Sequence, residues 1–198
     1  MKLLVIRHGE SEADLLKVHE GRADFALTEA GQRQAAAMAK WVAQHYPVDK
    51  IYASTLIRAQ QTAKALAATT NAPLIDEPGL REHDNGLLAG LPFEEAAAKY
   101  PPIPNRPPHL APYEMESEID FRCRVEKALS KIIHENTLES TIALVCHGGT
   151  IKMLYQAFLG LPIASDVVFA TGDTGIHLWE YEPGKRRILF ANRTAHLD

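Results

Sequence analysis

Residues 3–10 of the chain read LLVIRHGE, and this stretch decides the fold expected for the protein. Four consecutive branched apolar residues predict a short strand buried on both faces, which is typical of a parallel sheet. The apolar run ends abruptly at Arg7, His8 and Gly9. Because ligands bind at the carboxyl ends of strands in open α/β sheets, the stretch also predicts a polar site at that edge.

A second stretch near residue 147 repeats this pattern. Residues 141–149 read TIALVCHGG, in which an apolar run is again followed at once by a histidine and glycines. The carboxyl ends of parallel strands meet at one edge of a sheet. We therefore expect His8 and His147 to lie close together.

The rest of the chain alternates strand and helix patterns. Further strand patterns occur at residues 50–53, 73–76, 167–170, 176–181 and 187–192. Helical spacing of apolar residues occurs at 28–46, 56–66, 117–133 and 150–159. This alternation predicts an α/β fold: a three-layer α/β/α sandwich with a mainly parallel central sheet and helices on both faces. Since 198 residues suffice for one core, we expect a single domain over residues 1–198.

Local signals place the ends of several elements. Thr28 is a predicted N-cap, and residues 117–120 (SEID) resemble a capping box with Asp in place of the commoner Glu. Gly160 and Pro162 are expected to end the last helix. The PGK triplet at 183–185 predicts a turn between the two terminal strands.

One segment interrupts the alternation. Residues 101–112 hold six of the twelve prolines, which excludes a helix or a central strand there. Two interpretations stay open for the surrounding region, about residues 91–116. It is either a stiff connector or a lid or wall over the functional site, since long loops in compact domains are often functional.

Composition excludes several classes of protein. The net charge of −4 argues against a general nucleic-acid binder. The four-residue apolar run near the N-terminus is too short for a signal peptide or a membrane span. Two cysteines suggest no disulfide framework, so we expect a cytoplasmic protein. The sequence contains no heptad pattern, so the oligomeric state stays open.

Cationic groups are expected to gather at the carboxyl edge of the sheet. Arg7 ends one strand, and Arg58 lies in the first turn of a helix that follows another. Two guanidinium forks match the geometry of a phosphate. Gly148 begins a helix, whose N-terminal N–H groups and dipole favour an anion. The sequence therefore predicts an anion pocket.

Three further side chains could perform chemistry in that pocket. A neutral imidazole such as His8 is a competent nucleophile toward phosphorus. His147, if protonated, could stabilise charge in the transition state. Glu82 follows a strand and a short turn on the same rim, so its carboxyl group could protonate a departing oxygen. Asp84 is a neighbouring alternative for that acid.

Six short motifs occur in the order found in one known family. They are RHGES at 7–11, LTEAGQRQA at 27–35, STLIRAQQT at 54–62, LRE at 80–82, ES at 116–117 and HGG at 147–149. On these motifs the chain resembles the histidine phosphatase superfamily, also called phosphoglycerate-mutase-like. Its length resembles that of the compact phosphatases in this family.

The resemblance implies a chemical role for each matched residue. It implies a phosphohistidine intermediate on His8, phosphate binding by Arg7, Arg58 and His147, and proton donation by Glu82. It implies no metal and no organic cofactor. The expected partner is a small phosphorylated substrate.

Asp14 departs from the family pattern, because many members have an asparagine that donates to the phosphate. A carboxylate would instead repel a phosphate dianion. Asp14 is therefore either turned away, paired with an arginine, or part of a different ligand set. We hypothesise that it tunes the pocket without touching the phosphate.

Other residues have two interpretations at this stage. Arg22, His83 and Arg106 are candidates for substrate contacts, together with Asp14; a solvated surface position is the alternative. A metal site is a rival interpretation of His8 and His147 with His83 and Asp84. It lacks the HxH or HExxH spacing, and the adjacent arginines would repel a cation.

Three functions are consistent with these features. The first is a phosphatase that hydrolyses small phosphate monoesters. The second is a cofactor-dependent phosphoglycerate mutase, which would retain the phosphoryl group and return it. The third is an inactive module that binds phosphorylated ligands.

Overall fold

A six-stranded sheet forms the centre of the computed structural model, which describes residues 1–198. The strands are β1 (Lys2–Arg7), β2 (Lys50–Ala53), β3 (Leu74–Asp76), β4 (Thr141–Cys146), β5 (Ile176–Glu182) and β6 (Lys185–Arg193). The helices are α1 (Glu12–Leu16), α2 (Glu29–His45), α3 (Ile57–Thr70), α4 (Phe93–Lys99), α5 (Glu118–His134) and α6 (Gly148–Leu159). No helix is both long enough and apolar enough to cross a membrane.

The strand order across the sheet is β3-β2-β4-β1-β5-β6. The first four strands in this order run parallel, whereas β5 and β6 are antiparallel to their neighbours. The connections between the parallel strands carry helices, as crossover connections require. The mainly parallel α/β sheet predicted from the sequence is thus confirmed.

Each face of the sheet buries a separate apolar layer. Leu3 and Val5 of β1 point to the layer formed with α5 and α6. Leu4 and Ile6 point to the opposite layer, formed with α2 and α3. Because successive side chains of a strand alternate between faces, four consecutive apolar residues are needed to serve both layers. This confirms the three-layer arrangement.

The register of β1 and β4 places the two histidines side by side. Arg7 pairs with Cys146, and the next residues, His8 and His147, leave the sheet at the same edge. The His8 N–H still donates to the Cys146 carbonyl oxygen at 3.0 Å. Ser54 follows β2 at this edge, with its N–H bonded to the Val145 carbonyl oxygen.

The predicted helix ends agree closely with the structure. The Thr28 hydroxyl accepts from the Gly31 N–H at 2.9 Å, which caps α2. The Ser117 hydroxyl accepts from the Asp120 N–H at 3.0 Å at the start of α5. In a full capping box the Asp120 carboxylate would bind the Ser117 N–H, but here it accepts from the Ser117 hydroxyl. Gly160 ends α6 in the left-handed conformation.

The strand predicted at residues 167–170 is wrong. This segment is a loop between α6 and β5, and Val168 is 83% exposed. Only Phe169 is anchored, by stacking on Tyr155 with 4.0 Å between ring centroids. A run of β-branched residues forms a strand only where a sheet edge accepts its backbone groups, and no strand lies beside this segment.

The proline-rich residues 101–111 form neither helix nor strand, as predicted, and a single 3-10 turn follows at Pro112–Glu114. Two short helices, α1 and α4, are absent from the sequence predictions. Both are shorter than the two turns needed for a clear apolar period.

Gly31 fixes the loop after β1 against helix α2. A Cβ atom on Gly31 would lie 2.0 Å from the Glu10 carbonyl oxygen, and one on Gly9 would lie 2.6 Å from the Gly31 carbonyl oxygen. Both contacts are with backbone, which cannot rotate away. The close approach therefore depends on glycine at both positions.

We expect Gly31→Ala to lower the free energy of unfolding by about 2 kcal/mol, because overpacking outweighs the gain in helix propensity. Urea denaturation measures this change. Gln32→Ala, at the exposed next position of α2, is the matched control and should change stability by no more than about 0.5 kcal/mol. Equal stability of the two variants would contradict the close approach.

Candidate active site

His8 is buried at the carboxyl end of β1, with one ring nitrogen directed into the site. Its Nδ1 lies 2.7 Å from the Gly9 carbonyl oxygen, which places the ring proton on Nδ1 and leaves Nε2 with a free lone pair. Burial, and then the charges of Arg58 and Arg7, hold the pKa of His8 well below its ordinary value. Nε2 is therefore unprotonated.

Arg58, in the first turn of α3, is fully buried beside His8. Its Nε donates to His8 Nε2 at 3.3 Å. The two terminal nitrogens donate to the carbonyl oxygens of Gly21 at 2.8 Å and Ala23 at 3.1 Å. The guanidinium thus faces His8 with one edge and holds the loop before α2 with the other.

Arg7 is the last residue of β1 and directly precedes His8. Its Nη1 donates to the Thr171 carbonyl oxygen at 3.0 Å, and Nη2 lies 3.4 Å from the Asp173 carboxylate. Its Nε is buried and has no hydrogen-bond partner. An N–H donor is therefore left available to an anion.

His147 stands beside His8, with 5.1 Å between ring centroids. Its Nε2 lies 2.7 Å from the Ser54 hydroxyl, whereas its buried Nδ1 has no partner. Burial, and then the charges of Arg58, His8 and Arg7, hold the pKa of His147 well below its ordinary value. Gly148 follows as the first residue of α6, so the positive end of the helix dipole adjoins the two rings.

The Glu82 carboxylate docks at the start of α6. One oxygen accepts from the His83 N–H at 2.7 Å, and the other accepts from the Gly149 N–H at 2.9 Å. A Cβ atom on Gly149 would lie 2.4 Å from Glu82 Oε1. Glycine at position 149 is what allows the carboxylate to lie next to His147.

Two arginines hold the backbone of Glu82 in place. Arg124 on α5 and Arg22 both donate to the Glu82 carbonyl oxygen, at 3.2 and 3.3 Å. Both also bind the Glu116 carboxylate, which Arg124 contacts at 2.7 Å. Burial alone would raise the pKa of Glu116, but hydrogen bonds and charge from Arg124, with the charge of Arg22, lower it below its ordinary value.

The structure brings together Arg7, His8, Arg58, Glu82, His147 and Gly148, as the sequence indicated. The predicted substrate contacts lie in less direct positions. Arg22 and His83 are engaged with the Glu116 region, where His83 Nε2 lies 2.8 Å from the Glu116 carbonyl oxygen. Arg106 contacts the Met115 sulfur at 3.3 Å, within the proline-rich region.

Asp14 caps its own helix. Its carboxylate accepts from the Ser11 N–H at 2.9 Å and from the Ser11 hydroxyl at 3.1 Å. The sequence left open that Asp14 pairs with an arginine, but it forms no such salt bridge in this structure. The carboxylate that lies beside Arg58 is that of Glu20.

Sequence reasoning missed several residues of the site. Glu20 lies with Oε1 3.1 Å from Arg58 Nε and Oε2 3.7 Å from His8 Nε2. Thr62 anchors the loop after β1 by accepting from the Gly9 N–H at 3.2 Å. Arg124 has the spacing of an ordinary charge on a helix face, so no local signal marks it. Ser54 and Thr62 do lie within the 54–62 motif.

The arrangement is suited to nucleophilic chemistry on an anion. An unprotonated imidazole lies beside two guanidinium groups and a helix N-terminus. Two buried nitrogens, Arg7 Nε and His147 Nδ1, have no hydrogen-bond partner within the protein. A carboxyl group stands at the same helix end. No group of three His, Cys, Asp or Glu side chains is arranged to hold a metal ion.

Comparison with known proteins agrees with this chemistry. The model of the histidine phosphatase superfamily (branch 1) matches residues 3–194. Phosphoserine phosphatase 1 of Hydrogenobacter thermophilus is 28% identical over 200 residues, covering 100% of this chain and 94% of that protein. The 2,3-bisphosphoglycerate-dependent phosphoglycerate mutase of Bartonella henselae is 33% identical over 168 residues, covering 80% of this chain and 82% of the mutase.

Solved structures show the same fold. A mycobacterial glucosyl-3-phosphoglycerate phosphatase in complex with VO3 superposes with a TM-score of 0.86 and 25% sequence identity. The match covers 96% of this chain and 98% of that one.

We expect the ring resonances of His8 and His147 to stay constant from about pH 7.5 to about pH 5.5, because both imidazoles remain neutral. When the protein is unfolded in urea, the same residues should titrate at about pH 6.5. NMR measures both, with assignments from His8→Gln and His147→Gln. Because the unfolded chain then binds more protons, these two histidines lower stability as the pH falls below about 6.5. Titration of either ring in the folded protein near about pH 6.5 would contradict this.

Proposed function

The chain belongs to the histidine phosphatase superfamily, and we propose that it is a phosphatase that hydrolyses small phosphate monoesters through a phosphohistidine intermediate on His8. The observation that carries this proposal is the geometry around His8 Nε2, which is unprotonated and lies 3.3 Å from Arg58 Nε. We propose that the reaction uses no metal ion and no organic cofactor.

The first step transfers the phosphoryl group to the enzyme. His8 Nε2 forms a bond to phosphorus in line with the ester oxygen, and the P–O ester bond breaks. Arg58 Nε, Arg7 Nε and His147 Nδ1 donate to the equatorial oxygens, the last after its ring takes up a proton or changes tautomer. The Glu82 carboxylate takes up a proton from solvent as the phosphate dianion binds, and it gives this proton to the leaving alcohol.

The second step returns the enzyme to its starting state. Glu82, now ionised, removes a proton from a water molecule that attacks phosphorus. The P–N bond to His8 breaks, and inorganic phosphate leaves. The hydrogen bonds that hold the Glu82 backbone, from Arg124 and Arg22, keep the carboxylate in one place through both steps.

The region of residues 91–116 is proposed as the wall on the leaving-group side. It reaches the acid through its end, because the Glu116 N–H donates to the Asp84 carbonyl oxygen at 2.8 Å. Its proline-rich part shares an apolar cavity of about 230 Å³, lined by Tyr100, Ile103 and Arg106 among others. We propose that this wall contacts the alcohol part of the substrate rather than the phosphate.

A phosphoglycerate mutase is the second candidate function, because the Bartonella mutase is 33% identical to this chain. The two activities separate kinetically. A phosphatase releases inorganic phosphate from a simple ester without bisphosphoglycerate. A mutase interconverts phosphoglycerates and releases little phosphate.

We expect the wild type, quenched in alkali during turnover of a radiolabelled phosphate ester, to hold acid-labile phosphate on His8. His8→Asn should abolish the label and lower kcat by at least about 10³, because it removes the imidazole that is proposed to attack phosphorus. His134→Asn, at the exposed end of α5, is the matched control and should retain both. An unlabelled wild type that turns over no ester in a broad panel would instead favour the inactive binding module.

We expect Glu82→Gln to lower kcat for an alkyl phosphate by about 10² to about 10⁴, because the poor leaving group needs a proton. With p-nitrophenyl phosphate, whose leaving group needs none, a pre-steady-state burst of nitrophenol should survive and slow hydrolysis should follow. Rapid-quench kinetics on both esters separate the two steps. Equal losses in the burst for both esters would rule out Glu82 as the proton donor.

A further inference from the structure

Glu20 is an acidic side chain placed where the phosphoryl group is proposed to bind. Its carboxylate lies 3.1 Å from Arg58 Nε and 3.7 Å from His8 Nε2, and its side chain is 19% exposed. The single N–H of Arg58 Nε is directed at His8, so Glu20 Oε1 is left buried without a hydrogen-bond donor. A buried acceptor without a donor is costly and needs an explanation.

The loop that carries Glu20 is held on both sides. Arg58 binds the carbonyl oxygens of Gly21 and Ala23 on one side. On the other, the His19 backbone pairs with the segment before α4, at 2.9 Å to the Leu91 carbonyl oxygen and 2.7 Å from the Gly90 N–H. The loop backbone therefore keeps the Glu20 side chain at the mouth of the pocket.

An oxygen of a phosphoryl group on His8 Nε2 that accepts from Arg58 Nε would come within hydrogen-bond distance of Glu20. Two anionic oxygens beside one guanidinium N–H repel each other unless a proton lies between them. We propose that Glu20 takes up a proton when a phosphoryl dianion enters the pocket and donates it as a hydrogen bond to a phosphoryl oxygen. This rests on the proposed function only in naming the ligand.

The charges around Glu20 support this behaviour. Burial raises the pKa of Glu20 above its ordinary value, and Asp14 on α1 adds to the rise. Arg58 on α3, Arg7 at the end of β1 and the Ser11 hydroxyl act in the opposite direction. His8, the remaining titratable neighbour, stays neutral because its own pKa is depressed. A bound dianion adds a further negative charge, which favours the protonated carboxyl group.

Glu20 would then make the affinity for a phosphoryl dianion depend on pH. The pocket accepts a phosphoryl dianion together with one proton, so affinity falls as the pH rises above the pKa of the free enzyme's Glu20. The reciprocal effect follows from linkage: the bound anion raises the proton affinity of Glu20. Glu20 thus determines whether the complex with the dianion holds an additional proton.

Inorganic sulfate is the probe, because it stays a dianion over the whole range and brings no proton of its own. Titration calorimetry in buffers of different ionisation enthalpy counts the protons taken up per sulfate bound. The comparison is between wild type and Glu20→Gln, from about pH 6 to about pH 8. Protons taken up by Glu82 or the histidines occur in both proteins and cancel in the difference.

We expect the wild type to take up one more proton per sulfate than Glu20→Gln at about pH 8, and its affinity to fall more steeply, by about tenfold per pH unit. At about pH 8 the variant should bind sulfate at least about tenfold more tightly, and the gap should close toward about pH 6. Glu20→Ala should behave in the same way, and it covers the case in which Glu20→Gln does not fold. Glu12→Gln, which removes an exposed charge from the same segment, should match the wild type.

Equal proton uptake by the wild type and both Glu20 variants would overturn the proposal, since Glu20 would then leave the pocket or play no part. Absence of sulfate binding in all the proteins would overturn it too. The trapping experiment on His8 is independent of this result. Loss of the Glu20 effect with phosphohistidine present, or the reverse, therefore shows which of the two proposals fails.

Discussion

The buried guanidinium of Arg58 is the group on which the rest of the site depends. A charge with no exposed surface is costly unless it is paired and hydrogen-bonded, and here each of the three guanidinium nitrogens donates a hydrogen bond. Its terminal nitrogens hold the loop carbonyls of Gly21 and Ala23, and its Nε reaches His8. Burial, and then this charge, hold the pKa of His8 well below its ordinary value, and Glu20 Oε1 lies 3.1 Å from the same guanidinium.

The sheet supplies the position that makes this possible. Arg7 and Cys146 are register partners, so His8 and His147 leave adjacent parallel strands without any long loop to position them. Ser54 follows the neighbouring strand and meets the His147 ring at 2.7 Å. Backbone pairing therefore sets where the two histidines stand, and the Gly9 carbonyl oxygen and the Ser54 hydroxyl orient their rings.

The layers of the fold and the motif residues of the site could be predicted from the sequence, because both depend on local patterns. The alternation of apolar runs with helical spacing fixed the layers, and the ordered motifs brought out His8, Arg58 and His147. The wrong strand at 167–170 shows the limit, since β-branched residues alone do not supply a neighbouring strand. Arg124 and Glu20 escaped notice for a related reason: one resembles any helix-face charge, the other any loop carboxylate, and only tertiary contacts give them a role.

The start of α6 joins the two halves of the proposed chemistry. Gly149 donates to the Glu82 carboxylate, and we propose that Gly148 and His147 bind the phosphate. A rigid helix end therefore sets the separation between the acid and the phosphate pocket. Replacing Gly149 would displace the acid first, since a Cβ atom there meets Glu82 Oε1 at 2.4 Å.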